Sequence, residues 1–245
     1  MKKKILAMAM VLTLAAAAVG CGSESGSTES SSTEVTSGAA ATEAKSEETT
    51  KAATEAGSEA GSEAASEAAS ESGSADAEKT FKGTSEGKTY NNSFYGLSFT
   101  APEKGSWEFS GPSDLAARVN KTGDEVNAMT FADIKGGKIY PAMMCADMTS
   151  GESTSLILSG ITAGKSEKDM IDEAAKALES TATTEVKEGS PIGSTYYIDL
   201  KYEEGDVTLY MRQYYIFKDD TAATITVTSM STEGRDALVA GWKAN

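Results

Sequence analysis

From Gly22 to Glu78 the chain holds one large aliphatic residue, Val35, and no aromatic at all. Such a stretch cannot bury enough apolar surface to offset the entropy of ordering its backbone. Any fold is therefore confined to the residues around it. The stretch is built of Ser, Glu, Ala, Gly and Thr, and its phrase EAGSEAGSEAASEAASE places Glu55, Glu59, Glu63, Glu67 and Glu71 four apart. On a helix these like charges would share one side and repel. Residues 22–79 carry 13 acids against 3 lysines. Together with Cys21, residues 21–80 read as a disordered acidic linker, with a reach of roughly 40 Å for a flexible coil of this length.

The N-terminus has a different character. Lys2, Lys3 and Lys4 precede an apolar run from Ile5 to Val19, which ends in Gly20-Cys21. Fifteen residues is short for a permanent span, which needs about 20, but it suits a cleaved export signal over residues 1–20. Ala18-Val19-Gly20-Cys21 resembles the lipobox of bacterial lipoproteins, with Ala18 standing where leucine is commoner. The resemblance implies cleavage before Cys21 and lipidation of its sulfur and new amino group. Two acyl chains hold firmly where one would not, at about 0.8 kcal/mol per buried methylene. The expected partner of Cys21 is thus the lipid bilayer, and the expected location the extracytoplasmic face of the cell membrane. Gly22 gives no inner-membrane retention signal of the two-membrane kind.

Composition excludes several function classes. The net charge of −15 disfavours electrostatic binding of nucleic acid. With no histidine in the chain, His-dependent triads and zinc sites of the His or multiple-Cys kind are ruled out. Once Cys21 is lipidated only Cys145 remains, so no intramolecular disulfide forms. Cys145 lies in the apolar run Ala142–Ala146 and reads as a buried, inert thiol. No phosphate-binding glycine motif is present. The acidic turns at Glu203, Glu204 and Asp206 and at Asp219 and Asp220 offer too few oxygens each for calcium, which takes 6–8. No cofactor and no metal site is expected.

Residues 81–245 form one domain by length. Tyr95, Leu97 and Phe99 alternate as a strand up to Pro102. Trp107 and Phe109 mark a second extended piece, and Pro112-Ser113-Asp114 opens a short helix carrying Leu115 and Val119. A turn at 123–124 leads to expected extended chain through Met129 and Phe131. Residues 139–148 and 153–161 follow as strands. Ser166 with Asp169 forms a capping box, and Ile171, Ala174 and Leu178 line one side of the helix behind it, to about Ser180.

The last third alternates most clearly. Ile198, Leu200 and Tyr202 interleave with Tyr197, Asp199 and Lys201. Val207, Leu209, Met211 and Tyr215 interleave with Thr208, Tyr210, Arg212 and Tyr214. A two-residue Glu204-Gly205 turn pairs Leu200 with Leu209, Ile198 with Met211 and Tyr197 with Arg212. A three-residue loop, Lys218–Asp220, then places Ala223, Ile225 and Val227 on the Met211 and Tyr215 side. A helix from about Thr232 is expected to carry Leu238 and Trp242 one turn apart.

These elements give an α+β domain with a mostly antiparallel sheet and three flanking helices. The phrase Tyr90-Asn91-Asn92-Ser93-Phe94-Tyr95-Gly96-Leu97-Ser98-Phe99, with Pro102, Trp107 and the closing meander and helix, resembles the PsbP/Mog1-like family of α/β/α sandwiches. That family acts mainly in binding and assembly, so the resemblance implies no particular reaction.

Tyr197, Tyr210, Arg212 and Tyr214 share one sheet side. Tyrosine and arginine dominate recognition surfaces, so an open side here is a candidate face for a protein or glycan. A helix laid over it would make them packing residues instead. The expected function is a membrane-anchored, extracytoplasmic, non-enzymatic binding or assembly module. Its partner is an envelope protein, wall polymer or small ligand. The alternatives are a cell-envelope hydrolase using Asp/Glu chemistry and the solute-capture component of a transporter. For the last, two lobes around a cleft are usual and 165 residues is small.

Overall fold

Alternating apolar residues pair into two antiparallel sheets in the computed structural model, which describes residues 80–162 and 164–245. The signal segment, Cys21 and the acidic linker lie outside the described residues. The chain enters through Phe81, which is fully buried, and forms β1 (Thr84–Glu86), β2 (Thr89–Asn92), β3 (Leu97–Thr100) and β4 (Trp107–Ser110). Three short helices follow, α1 (Pro112–Leu115), α2 (Gly123–Asn127) and α3 (Phe131–Lys135), with a 3₁₀ turn at Ala116–Val119 behind α1. Then come β5 (Tyr140–Asp147), β6 (Ser153–Gly160), α4 (Glu167–Leu178) and β7 (Thr183–Glu188). The chain closes with β8 (Tyr196–Glu204), β9 (Val207–Lys218), β10 (Thr221–Ser229), α5 (Thr232–Val239) and β11 (Trp242–Ala244). The large sheet runs β4-β5-β6-β10-β9-β8-β7 and the small one β1-β2-β3-β11. Among the described residues the domain is therefore α+β, with two antiparallel sheets and five helices where one sheet and three helices were expected.

Both faces of the large sheet are covered, each by its own apolar cluster. Its inner face carries Cys145, Leu156, Leu158, Tyr214, Ile225 and Val227. These pack with Tyr90, Leu97 and Phe99 of the small sheet, with Val126, Phe131 and Ile134 of α2 and α3, and with Leu238 and Val239 of α5. On the outer face α4 sets Ile171, Ala174 and Leu178 against Ile198, Leu200, Met211 and Tyr215. Each of Ile171 and Leu178 contributes about 2 kcal/mol by leaving water completely. Ser166 starts α4 by accepting from Asp169 N, while the Asp169 carboxylate accepts from Ser166 N. Lys168 and Asp172, one turn apart, pair at 2.6 Å on the solvent side. Elsewhere on the outer face, Leu115 of α1 meets Met144 and Ala146 of β5.

The sheets are joined through the C-terminus. Thr100 N donates to Gly241 O at 3.0 Å and Asn245 N to Gly96 O at 2.8 Å. A Cβ on Gly241 would fall 2.6 Å from Thr100 O, so the crossing needs glycine. Trp242 is 3% exposed and donates from Nε1 to Thr154 Oγ1 at 2.9 Å.

Four expectations are corrected. Residues 123–135 are helical rather than extended, because Thr122 with Glu125 and Thr130 with Asp133 form two capping boxes that start α2 and α3. Trp242 belongs to β11 rather than the last helix, which ends at Val239.

The β8–β9 register differs by two residues. Leu200 pairs with Met211, Ile198 with Gln213, Asp199 with Arg212 and Tyr197 with Tyr214. The turn is Gly205-Asp206, because Gly205 takes the left-handed φ of 57° that opens such a turn. A two-residue slip keeps every side chain on its face, so alternation alone cannot detect it.

The β9–β10 loop has two residues, not three. Asp219 and Asp220 both adopt left-handed φ, 48° and 60°, and Lys218 pairs with Thr221. This reverses the expected side of Ala223, Ile225 and Val227, which lie with Ile216, Tyr214 and Arg212. The side expected to be polar is thus part of the inner core, and Thr224, Thr226 and Thr228 of β10 lie buried on the outer face.

Two aspartates in left-handed conformation are poor turn residues beside Asn-Gly. The double change Asp219→Asn, Asp220→Gly is expected to stabilise by about 1 kcal/mol, read as a rise in thermal midpoint. It also removes the exposed Lys135–Asp220 pair at 3.2 Å. A fall in midpoint would mean that this pair outweighs turn geometry.

Candidate functional site

Alternation along three neighbouring strands brings the candidate residues to one place on the inner face. β8 contributes Tyr197 and Asp199, β9 contributes Arg212 and Tyr214, and β7 contributes Glu185 and Lys187. The Arg212 guanidinium grips the Asp199 carboxylate through two bonds, Nε to Oδ1 at 2.5 Å and Nη2 to Oδ2 at 3.0 Å. It also lies 4.8 Å from the Tyr197 ring centre, and the Tyr197 and Tyr214 rings are 5.4 Å apart. Lys187 Nζ reaches Asp199 Oδ2 at 3.1 Å.

The helix α5 covers this group. Arg235 lies one turn before the buried Leu238 and Val239, so it points inward and its side chain is only 11% exposed. Its Nη1 is 3.5 Å from Asp199 Oδ1, while Nε and Nη2 donate to Asp236 Oδ1 at 3.1 and 3.0 Å. Asp236 in turn lies 3.5 Å from Arg212 Nη1. One carboxylate thus faces three cations from three elements, and a second carboxylate closes the array on its solvent side.

Of the four residues singled out from the sequence, Tyr197, Arg212 and Tyr214 meet here. Tyr214 has no exposed surface, and Arg212 keeps 16% of its side chain in solvent. Tyr210 stands apart, opposite Lys201 on one side and Ser229 on the other. Tyr197 and Tyr210 are half-buried. Arg235 and Lys187 were not among the expected residues. The signal for Arg235 was present in its spacing of three and four from Leu238 and Val239, which marks the buried stripe of a helix.

The electrostatics favour a fixed ionised state. Burial works to raise the Asp199 pKa, but bonds from Arg212 and Lys187 and the nearby charges of Arg212 and Arg235 outweigh it and hold the carboxyl below its ordinary value. Burial likewise opposes charge on Arg212, yet its bonds to Asp199 and Tyr214 keep it firmly protonated. Burial pushes Tyr214 up. A carboxylate held in this way is not a proton donor near neutral pH. Cys145 matches its sequence reading: it is fully buried and burial raises its pKa to about 12.

A second, polar hollow of about 480 Å³ lies where α4 runs into β7, lined by Glu179, Thr183, Lys201 and Glu203. Glu203 pairs there with Lys201 at 2.8 Å. Among the described residues, no group of three or more acidic or cysteine side chains could hold a metal ion. No helix among them is long and apolar enough to cross a membrane.

No protein-family model matches the chain. No curated protein matches it either. Among solved structures, the chain is similar to the solution structure of cyanobacterial PsbP (CyanoP) from Synechocystis sp. PCC 6803, at a TM-score of 0.37 and 13% identity, over 66% of this chain and 98% of that one.

Asp199→Asn removes the carboxylate that Lys187, Arg212 and Arg235 share, leaving them only Glu185 and Asp236, and is expected to cost about 2 kcal/mol at neutral pH. A depressed folded pKa contributes stability that is fully present above the unfolded carboxyl value, about 3.9, and is lost as pH falls through the folded value. The gap in thermal midpoint between wild type and variant should therefore hold steady from pH 8 to 5 and narrow below about pH 4. A gap that stays constant to pH 2 would rule out ionisation of Asp199 as its source.

Proposed function

We propose that this chain is a lipid-anchored protein of the extracytoplasmic membrane face, whose domain is a PsbP/Mog1-like binding or assembly module rather than an enzyme. Cys21 carries the acyl chains, and the acidic linker lets the domain stand off from the bilayer. The partner meets the rim formed by Tyr197 and Tyr210, beside α5. The wording of Tyr90–Phe99, with Pro102 and Trp107, supports the family placement.

The observation that carries the reading is the state of Asp199. Its carboxylate is engaged by Lys187, Arg212 and Arg235 together. Ionised groups at this face are thereby committed to holding α5 in place. What they hold in place is a rigid tyrosine surface, the kind of surface used for contact.

The reading is tested with the full chain in its own cell. Mass spectrometry of the mature N-terminus should give diacylglyceryl-modified Cys21 in the membrane fraction, and Cys21→Ala should release the protein from membranes. With the anchor intact, a photo-crosslinker at position 210 should trap one envelope component, and Tyr197→Ala should reduce that yield at least several-fold. An unmodified N-terminus upstream of Cys21 overturns the anchor. Unchanged crosslinking in the Tyr197 variant overturns the face.

A further inference from the structure

The chain has three arginines. Two of them, Arg212 and Arg235, are held by Asp199 and Asp236. The third, Arg118, sits in the 3₁₀ turn behind α1 and is half-buried. Its Nη1 donates to Met144 Sδ at 3.0 Å, and among the described residues it has no carboxylate partner. A thioether is a weak acceptor and carries no charge. Acids outnumber bases 37 to 22 in this chain, so a desolvated arginine without one is a conspicuous exception. Burial pulls its pKa below the ordinary arginine value, the direction expected for a cation whose counter-ion is missing.

Arg118 opens onto a cleft between the 3₁₀ turn and the outer face of β5 and β6. Its walls include Leu115, Val119, Pro141, Met144 and Ile157. Ser155 lines the same cleft. Its Oγ is buried and makes no hydrogen bond, although such an orphan costs about 1–3 kcal/mol. The β5–β6 register sets Ser155 opposite Met144 and Ile157 opposite Pro141, so these four side chains share the outer face. One uncompensated cation and one unsatisfied hydroxyl therefore line a single, otherwise apolar, cleft. The space within reach of solvent is about 20 Å³, enough for one water. A larger occupant must displace the Met144 side chain, which is flexible enough to move.

We propose that this cleft binds an aliphatic monocarboxylate. The carboxylate pairs with the Arg118 guanidinium and accepts from Ser155 Oγ, while a short tail lies along Leu115, Met144 and Ile157. A dianion such as phosphate suits the cleft less, because a second charge would be desolvated against apolar walls with no second cation. A neutral alcohol would leave Arg118 unpaired. The site is separate from the Asp199 face and does not depend on the anchor.

The test uses the full chain with ¹³C-methyl methionine, titrated with hexanoate and followed by NMR. Met144 touches Arg118, and Met148 and Met230 lie in solvent as internal references. Hexanoate should shift the Met144 methyl signal saturably and leave the two references in place. Hexan-1-ol, acetate and chloride should each bind at least about tenfold more weakly, because each lacks the charge or the tail. Arg118→Gln should abolish the saturable shift, Arg118→Lys should retain part of it, and Ser155→Ala should weaken binding. Unmoved signals from the buried Met129 and Met211 methyls in each variant show that it is folded. Acetyl-glycyl-leucine separates two sources of the same chemistry: tighter binding than hexanoate assigns the carboxylate to a peptide end, weaker binding to a free acid. The proposal is overturned by no saturable shift, by equal binding of hexan-1-ol, acetate or chloride, or by unchanged binding in Arg118→Gln.

Discussion

The Asp199 carboxylate draws cations from three separate elements: Lys187 of β7, Arg212 of β9 and Arg235 of α5. Only the last joins a helix to the sheet, and much of the remaining architecture follows from it. Leu238 and Val239 enter the inner core one turn after Arg235. The chain then passes Gly241 against Thr100, buries Trp242, and pairs β11 with β3 to complete the small sheet. Apolar burial drives α5 onto the sheet but is indifferent to small rotations about its axis. Ion pairs with fixed fork geometry supply that orientation. The array is also nearly neutral, with Lys187, Arg212 and Arg235 set against Asp199, Asp236 and Glu185. The buried part of the array, Asp199 with Arg212 and Arg235, is stable only because each charge has its opposite at hand.

Both sides of the large sheet are packed, and this explains which parts of the fold were legible in the sequence. The α4 helix announced itself through Ser166, Asp169 and an apolar stripe, and the structure reproduces all three. The meander of β8, β9 and β10 was legible as strands because alternation is strong. Its pairings were not, since a two-residue slip leaves every face unchanged and Gly205 could sit at either turn position. The parity of β10 was harder still. With apolar residues wanted on both faces, Ala223, Ile225 and Val227 match Tyr214 and Ile216 as well as they match Met211 and Tyr215. The elements β1 and β11, of three residues each, are too short for a period to show, and β7 carries a single aliphatic residue, Val186. The helices α2 and α3 were hidden because one turn of helix carries little periodicity, although their capping boxes were written in plain view.

The candidate face was half legible. Tyrosine and arginine on one strand side drew notice to Tyr197, Tyr210, Arg212 and Tyr214, and three of the four do converge. What sequence could not supply was the helix above them, because the contact between Asp199 and Arg235 spans 36 residues. That contact changes the meaning of Arg212 from a free recognition group to a member of an ion-pair array. Arg118 presents the reverse case, a cation to which the fold brings no acid. The molecule thus uses the same residue type in two ways: twice to lock its own architecture, and once to leave a charge facing a cleft.

The claim that Asp199 orients α5 is tested most directly by a double-mutant cycle of Asp199→Asn and Arg235→Gln, measured by denaturant unfolding at pH 7. If the two side chains act through each other, removing both costs less than the sum of the single losses, with a coupling of at least about 1 kcal/mol. Strict additivity, within about 0.3–0.5 kcal/mol, would show that Asp199 does not orient α5 through Arg235.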